Sequence, residues 1–474
     1  MTTISNFRIK PEFLRPLLVT IILIVVYRLG FLVPIPFLDI EGIKGQSGTS
    51  STYNPMNGHF SIFMLGIMPY VSAYILVELF SLFTPPLKKM RSGDIEGRKK
   101  LKRISLVLSL ILAVYQAIGI ISGLQGWNLS NGKAILNVST VFEHGILVCV
   151  LVGSFYLLVC ICELVSMFGI GHGISIILLS GICGDFIGRM PMLFRRFEYY
   201  DFSAYFIAIF VFCALISFAF ILLKTKISIP CYHEKDNITV DYFRLNLSPS
   251  SLAALTYAAT IIMLPVTLTQ FFGIDSSIAN NLRPGSFLYN FISIIFVFIF
   301  SFIFGWAFLH PRRRMIKMQE RGWRFAKMGA TAAAYILKRQ FIYNLPWTVF
   351  LCAMVVVPNI LISGANVPFY LGGSSIPVLV AVSLDIIGGF KFYQNSIHKP
   401  IKIAEFHDVY DANMINNHME AAGIKSFLRG YHHRLLTYFF GPYLEMSLII
   451  DDHDKEKAKL LIQEFYGGLG LCRT

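Results

Sequence analysis

Long uninterrupted apolar blocks constrain this chain more than any other feature. Each is about 18 to 24 residues long, the length an α-helix needs to cross a hydrocarbon core. They fall near residues 17-34, 61-84, 104-126, 144-168, 172-190, 203-224, 251-273, 288-309, 341-363 and 374-397. Lipid offers no partner to a backbone N-H or C=O, so such blocks must satisfy their own hydrogen bonds as helices. Composition agrees, since 55% of the 474 residues are hydrophobic and 14% are charged, against about a quarter charged in a soluble domain. The chain therefore reads as an all-α polytopic membrane protein with about ten transmembrane helices. The first block is of span length and no small-residue cleavage site follows it, so it reads as the first helix rather than a signal peptide.

The net charge of +14 could suggest nucleic acid as a partner, but the positions of the basic residues exclude that reading. They gather in alternate loops: Arg8, Lys10 and Arg15 at the N-terminus, then Lys88, Lys89, Arg91, Arg98, Lys99, Lys100, Lys102 and Arg103. A third group runs from Arg312, Arg313 and Arg314 through Lys317, Arg321, Arg324 and Lys327 to Lys338 and Arg339. An excess of Lys and Arg marks cytoplasmic loops, which places both termini in the cytoplasm. Arg189, Arg195 and Arg196 fall on the outer side, a mild dissent. The third basic loop is longer than a helix connection needs and suits docking of a cytoplasmic partner as well as a topology signal.

Several spans carry residues that lipid-facing helices avoid. Glu78, Glu163 and Asp385 lie inside apolar stretches, where acids generally face a water-filled path or a partner. Gly66-Ile67-Met68-Pro69 and Gly169-Ile170-Gly171-His172-Gly173 predict broken helices, because Pro lacks an N-H and Gly is permissive. Irregular backbone at membrane depth is tolerated only against protein or water. Cys160 and Cys162 read as small packing residues, and His172 as part of a turn or cap. There is no CxxC pair, metal spacing, nucleophile arrangement or phosphate-cradling loop. Enzymatic chemistry, a metal and a cofactor are thus not implied.

At this point the motifs resemble those of the SecY family, the central subunits of bacterial protein-conducting channels. The resemblance rests on Ser61 to Tyr70 (SIFMLGIMPY), Tyr27-Arg28-Leu29-Gly30 with Pro34-Ile35-Pro36, and Gly97-Arg98-Lys99-Lys100. It continues through Gly169 to Ser175 and Val367 to Ser375 (VPFYLGGSS), followed by Asp385. The resemblance implies two pseudo-symmetric halves of five helices around a pore, the inverted-repeat architecture of many transporters. It also implies a multi-pass protein of the bacterial plasma (inner) membrane that translocates secretory proteins and inserts membrane proteins. By motif position the pore ring would be Val71, Ile75, Ile174, Leu178, Thr256 and Val378, with Thr256 departing from the usual aliphatic residue. Glu78 would lie on the lateral gate, with its pKa raised by desolvation. Arg321, Arg324 and Lys327 would dock a cytoplasmic partner. Lys327 stands where the family has an arginine, and Lys lacks the planar fork of Arg. The segment from Leu38 to His59, rich in Gly, Ser and Thr, would be a weak external plug. Expected partners are small SecE-like and SecG-like membrane subunits, the SecA motor or a ribosome, unfolded secretory polypeptides and lipid.

Composition changes near residue 400, so residues 1-398 read as the channel domain and 399-474 as a soluble α+β module. A strand from Ile401, a helix to Ala422 stopped by Gly423, a strand at Ile424 to Leu428, a period-two strand over Tyr443 to Ile450 and a helix from Asp454 give the order β-α-β-β-α. Through Asp411-Ala412 and Glu420 to Ile424 this tail resembles a small ferredoxin-like module associated with signal transduction. Two other classes compete with the channel. An ion-coupled small-solute transporter would bring its acids together at the midplane, and a membrane anchor displaying the tail would need no conduit.

Overall fold

The computed structural model describes residues 11-40, 60-92, 95-125, 135-196, 202-233, 236-246, 254-255, 257-258, 261-262, 286-309, 323-325, 348-359, 375-396, 398-406, 409-431 and 446-465. Helix α1 (Pro11–Gly30) opens on a proline, whose fixed φ suits a first helical position where no N-H is needed. It begins before its apolar block and stops before the block ends. The turn after it is closed by Phe31, Leu32 and Val33 N-H groups donating to the carbonyls of Arg28, Leu29 and Gly30. Gly30 is obligatory here, because a Cβ would lie 1.9 Å from the Phe63 ring.

The second span is broken where its glycine and proline foretell. A 3-10 turn (Ile62–Leu65) ends at Gly66, whose φ of 58° is the left-handed region open to glycine. Helix α2 (Met68–Phe83) then starts with Pro69 in its first turn, where the missing N-H costs nothing. Ser154 pins the break from the neighbouring helix by donating to the Ile62 carbonyl at 2.5 Å.

A short helix α3 (Pro85–Ser92) leads into α4 (Ile95–Gln125). The basic run Arg98 to Arg103, read above as loop, is therefore the start of a helix that reaches beyond the apolar block. Helix α5 (Val141–Phe168) opens on a capping box, with Thr140 accepting from Glu143 N-H and Glu143 accepting from Thr140 N-H. Helices α6 (Gly173–Arg196) and α7 (Phe202–Lys224) follow. The connection after α7 is a hairpin of β1 (Lys226–His233) and β2 (Asp236–Asn246). Beyond it come α8 (Phe287–Leu309), the strand β3 (Trp323–Phe325) and α9 (Ser375–Asn395). In the seventh and ninth blocks the described residues, 254-262 in part and Thr348–Asn359, are helical.

The helices present apolar side chains outward as well as inward. On α4, Val107 and Ile111 are 61% and 60% exposed while Ala113 and Ala117 are fully buried. Small residues at the packing face and large aliphatics on the other fit helices solvated by lipid tails, for which close backbone approach rather than hydrophobic burial drives association.

The tail is β4 (Pro400–Phe406), α10 (Val409–Ala421), β5 (Ser426–Arg429), β6 (Met446–Asp451) and α11 (Lys455–Phe465), in the expected order. Its antiparallel sheet runs β4-β6-β5. Gly423, at φ 78°, stops α10: its N-H donates to Glu420 C=O and that of Ile424 to Met419 C=O, the pair of bonds that satisfies the last carbonyls of a helix. Ala412, Ile415, Met419, Met446, Leu448, Ile450, Ala458 and Ile462 are buried between sheet and helices.

Candidate conduit and its cytoplasmic mouth

The connection from α5 to α6 positions the first of the expected pore residues. Ser166 Oγ donates to the Cys162 carbonyl and accepts the Gly173 N-H at 2.8 Å. Thr20 Oγ1 on α1 accepts the Ile170 N-H at 2.9 Å. Gly171 takes a φ of 77°, and a Cβ on Gly173 would sit 1.8 Å from the Cys162 carbonyl oxygen. The glycines thus fold the chain back so tightly that α6 begins against α5, with Ile174 next in sequence and buried. His172 caps this start, its carbonyl accepting the Ile176 N-H.

Beside this connection lies a cavity of about 750 Å³. Its channel wall includes Ile67, Tyr70, Val159, Cys162 and Ile174, and its opposite wall is formed by Lys402, Glu405, Arg429, Ser447 and Ile449 of the tail. Lys99 and Lys102 at the start of α4 also line it, so it opens on the face that carries the basic loops.

Of the expected ring, Val71, Ile75, Ile174 and Val378 are buried in one hydrophobic cluster, and Leu178 packs against it. Thr256 lies outside the described residues, although its neighbours Leu255 and Tyr257 belong to the same cluster. Position 78 is helical within α2, but the Glu78 side chain is outside what is described. Arg321 and Lys327 are also outside, as are residues 41-59 of the expected plug. Arg324 lies in β3, its backbone paired with Tyr232 of β1.

The two intramembrane acids whose side chains are described each lie near a basic residue. Glu163 forms an ion pair with Lys102 at 3.3 Å, with both side chains about half exposed at 50% and 44%. Asp385 is buried in α9 and acts electrostatically on Arg429 of the tail. Glu163 lines the cavity beside Lys99 and Lys102, and Asp385 lies near Arg429, which lines it too.

Sequence reasoning missed Arg429 and Phe427. Arg429 Nη2 donates to the carbonyls of Gly169 and Gly171 at 2.5 and 3.2 Å, and burial pulls its pKa below the usual arginine value while leaving it charged. Phe427 stacks on Phe392 of α9, with ring centroids 5.7 Å apart. Neither contact has a local signature, because each joins positions far apart in the chain.

An apolar helical bundle, broken helices and a cavity leading in from a basic face define a membrane channel of helical type. The SecY family model matches residues 61–387, more than half of the chain, and the chain belongs to that family of protein-conducting channels. A second family model, described as "Putative prokaryotic signal transducing protein", matches residues 401–466. The chain is 26% identical over 403 residues to the protein translocase subunit SecY of Escherichia coli strain K12, covering 79% of this chain and 90% of that one. The corresponding subunit of Vibrio cholerae is 28% identical over 396 residues, covering 77% and 88%. Among solved structures, a protein conducting channel superposes with a TM-score of 0.58 at 15% identity, covering 83% of this chain and 96% of that one. Sec61 from a canine ribosome-channel complex gives 0.54 at 14% identity, with the same shares covered. These likenesses confirm the channel fold, a multi-pass membrane protein with a small C-terminal α+β domain.

Proposed function

We propose that the chain forms the pore through which unfolded secretory polypeptides cross, and membrane proteins enter, the inner membrane of a bacterium. Both termini would be cytoplasmic, and the channel and tail domains would divide near residue 398. Val71, Ile75, Ile174, Leu178, Thr256 and Val378 would form the constriction, with Glu78 on the lateral gate. An apolar ring closes by dewetting and fits around an extended chain, so it passes polypeptide and holds back ions.

The observation that carries this reading is a cavity lined both by Lys99 and Lys102 of the basic run and by Ile174, a buried aliphatic of the expected ring. No nucleotide motif is present in the sequence, so energy would come from a partner docked at Arg321, Arg324 and Lys327, either the SecA motor or a ribosome. SecE-like and SecG-like subunits would complete the assembly.

The test is conductance of proteoliposomes carrying the chain with Ile75→Asn and Ile174→Asn together. The unchanged chain should hold an ion gradient and the double variant should leak. Equal conductance of the two would count against the ring.

A further inference from the structure

We propose that the C-terminal domain is a built-in cap, seated across the cytoplasmic mouth of the conduit, that must undock before a polypeptide enters. The proposal rests on the reading of Ile174 as part of the pore. Its basis is the way the domain meets the channel at two separate places and roofs the space between them.

On one side, Arg429 at the end of β5 reaches the α5-α6 connection and donates to the Gly169 and Gly171 carbonyls. Those carbonyls belong to the turn that delivers Ile174. Hydrogen bonds from a charged donor are among the stronger ones, and a buried guanidinium left without acceptors is costly, so this contact sets the domain in one orientation.

On the other side, Phe427 lies over α9, stacked on Phe392. A Cβ at Gly388 or Gly389 would approach its ring to 3.1 and 3.5 Å, so the paired glycines form a flat seat for it. Helices α5 and α6 lie in the first half of the chain and α9 in the second. A domain fastened to both sides resists their separation, as well as covering the opening.

Between these contacts the sheet presents Lys402, Glu405, Ser447 and Ile449 to the cavity, opposite Tyr70, Val159 and Ile174. The domain also packs its helix α10 against strand β2, and β3, which carries Arg324, pairs with the β1 strand of the same hairpin. The cap therefore rests beside the loops expected to receive a cytoplasmic partner, so that docking and undocking are coupled. The tether from α9 is short, with Ser396 N-H still bonded to Phe392 C=O and β4 starting at Pro400. A short tether keeps the effective concentration of the domain at the mouth high, so an undocked cap returns without a partner.

The experiment uses the full chain in inverted membrane vesicles, with its eight native cysteines replaced and a single reporter at Val159→Cys. Val159 is buried on the channel wall of the cavity and belongs to no part of the proposed ring. Its labelling rate with a membrane-impermeant thiol reagent measures access from the cytoplasm. Arg429→Glu removes the donor and repels the carbonyls. Gly388→Leu places a side chain under Phe427 while leaving the domain's own sequence untouched, so misfolding of the domain cannot produce its effect. Labelling should be slow in the parent and rise about tenfold or more in each variant, the scale set by loss of a charged hydrogen bond or of a packed aromatic contact. Labelling that is already fast in the parent, or slow and unchanged in both variants, overturns the cap. Failure of the pore reading shows separately, in the conductance of the Ile75 and Ile174 variants.

Discussion

Gly173→Ala is the smallest change that should disturb both the packing of the channel and the placement of its pore. The added Cβ would lie 1.8, 2.6 and 2.8 Å from the O, C and Cα of Cys162. All three are backbone atoms of a helix, so no side chain can rotate away. To restore an ordinary contact, α5 and α6 must part by roughly 1.5 Å, an overpacking whose usual cost is about 1 to 3 kcal/mol or more. At about 2 to 4 °C per kcal/mol for domains of moderate size, the melting temperature of the purified chain in detergent should fall by several degrees. Ile174 follows directly and moves with the helix, so the variant should also leak ions. Gly153→Ala in α5 is the control, since nothing lies within 4 Å of its Cβ. There alanine's better helix propensity, about 1 kcal/mol, should leave stability equal or raised. A Gly173→Ala chain that melts at or above the parent temperature would refute the close approach of these two helices as what sets Ile174.

Other expectations follow from single contacts. Thr140→Ala removes the side chain that accepts Glu143 N-H at the start of α5; the loss should be about 1 kcal/mol, read as faster hydrogen exchange in the first turn. Glu163→Gln breaks a half-exposed ion pair with Lys102, worth no more than about 1 kcal/mol, so stability and polypeptide passage should be nearly unchanged. Loss of a proton-coupled solute uptake in that variant would instead support the transporter reading.

Much of the membrane architecture was legible because lipid leaves the backbone few choices. The break in the second span followed from Gly66 and Pro69, and the tight turn before Ile174 from the glycines around His172. Helix ends were less legible: α1 and α4 begin several residues before their apolar blocks, since a helix can persist through polar sequence that hydropathy counts as loop. The order of elements in the tail was readable from period-two alternation and the stop at Gly423, whereas the order of strands in its sheet was not. The hairpin at 226-246 was not foreseen, although Ile227 and Ile229 flank Ser228 with a period of two. The seat of the tail on the channel had no local signal at all. Arg429 and Gly169 are 260 residues apart, and nothing around an arginine at a strand end says which carbonyl it will find. Of the expected site, Val71, Ile75, Ile174, Leu178 and Val378 lie in or against one apolar cluster. Thr256, Arg321, Lys327 and the Glu78 side chain lie outside the described residues.

Site-specific photocrosslinking from Ile174 to a secretory chain stalled in mid-transit tests the conduit most directly. Membranes containing this protein should yield a crosslink that appears only when the stalled chain carries its signal sequence. A chain demonstrably held in the membrane that crosslinks to another channel, and never to position 174, would contradict a polypeptide pore lined by this residue.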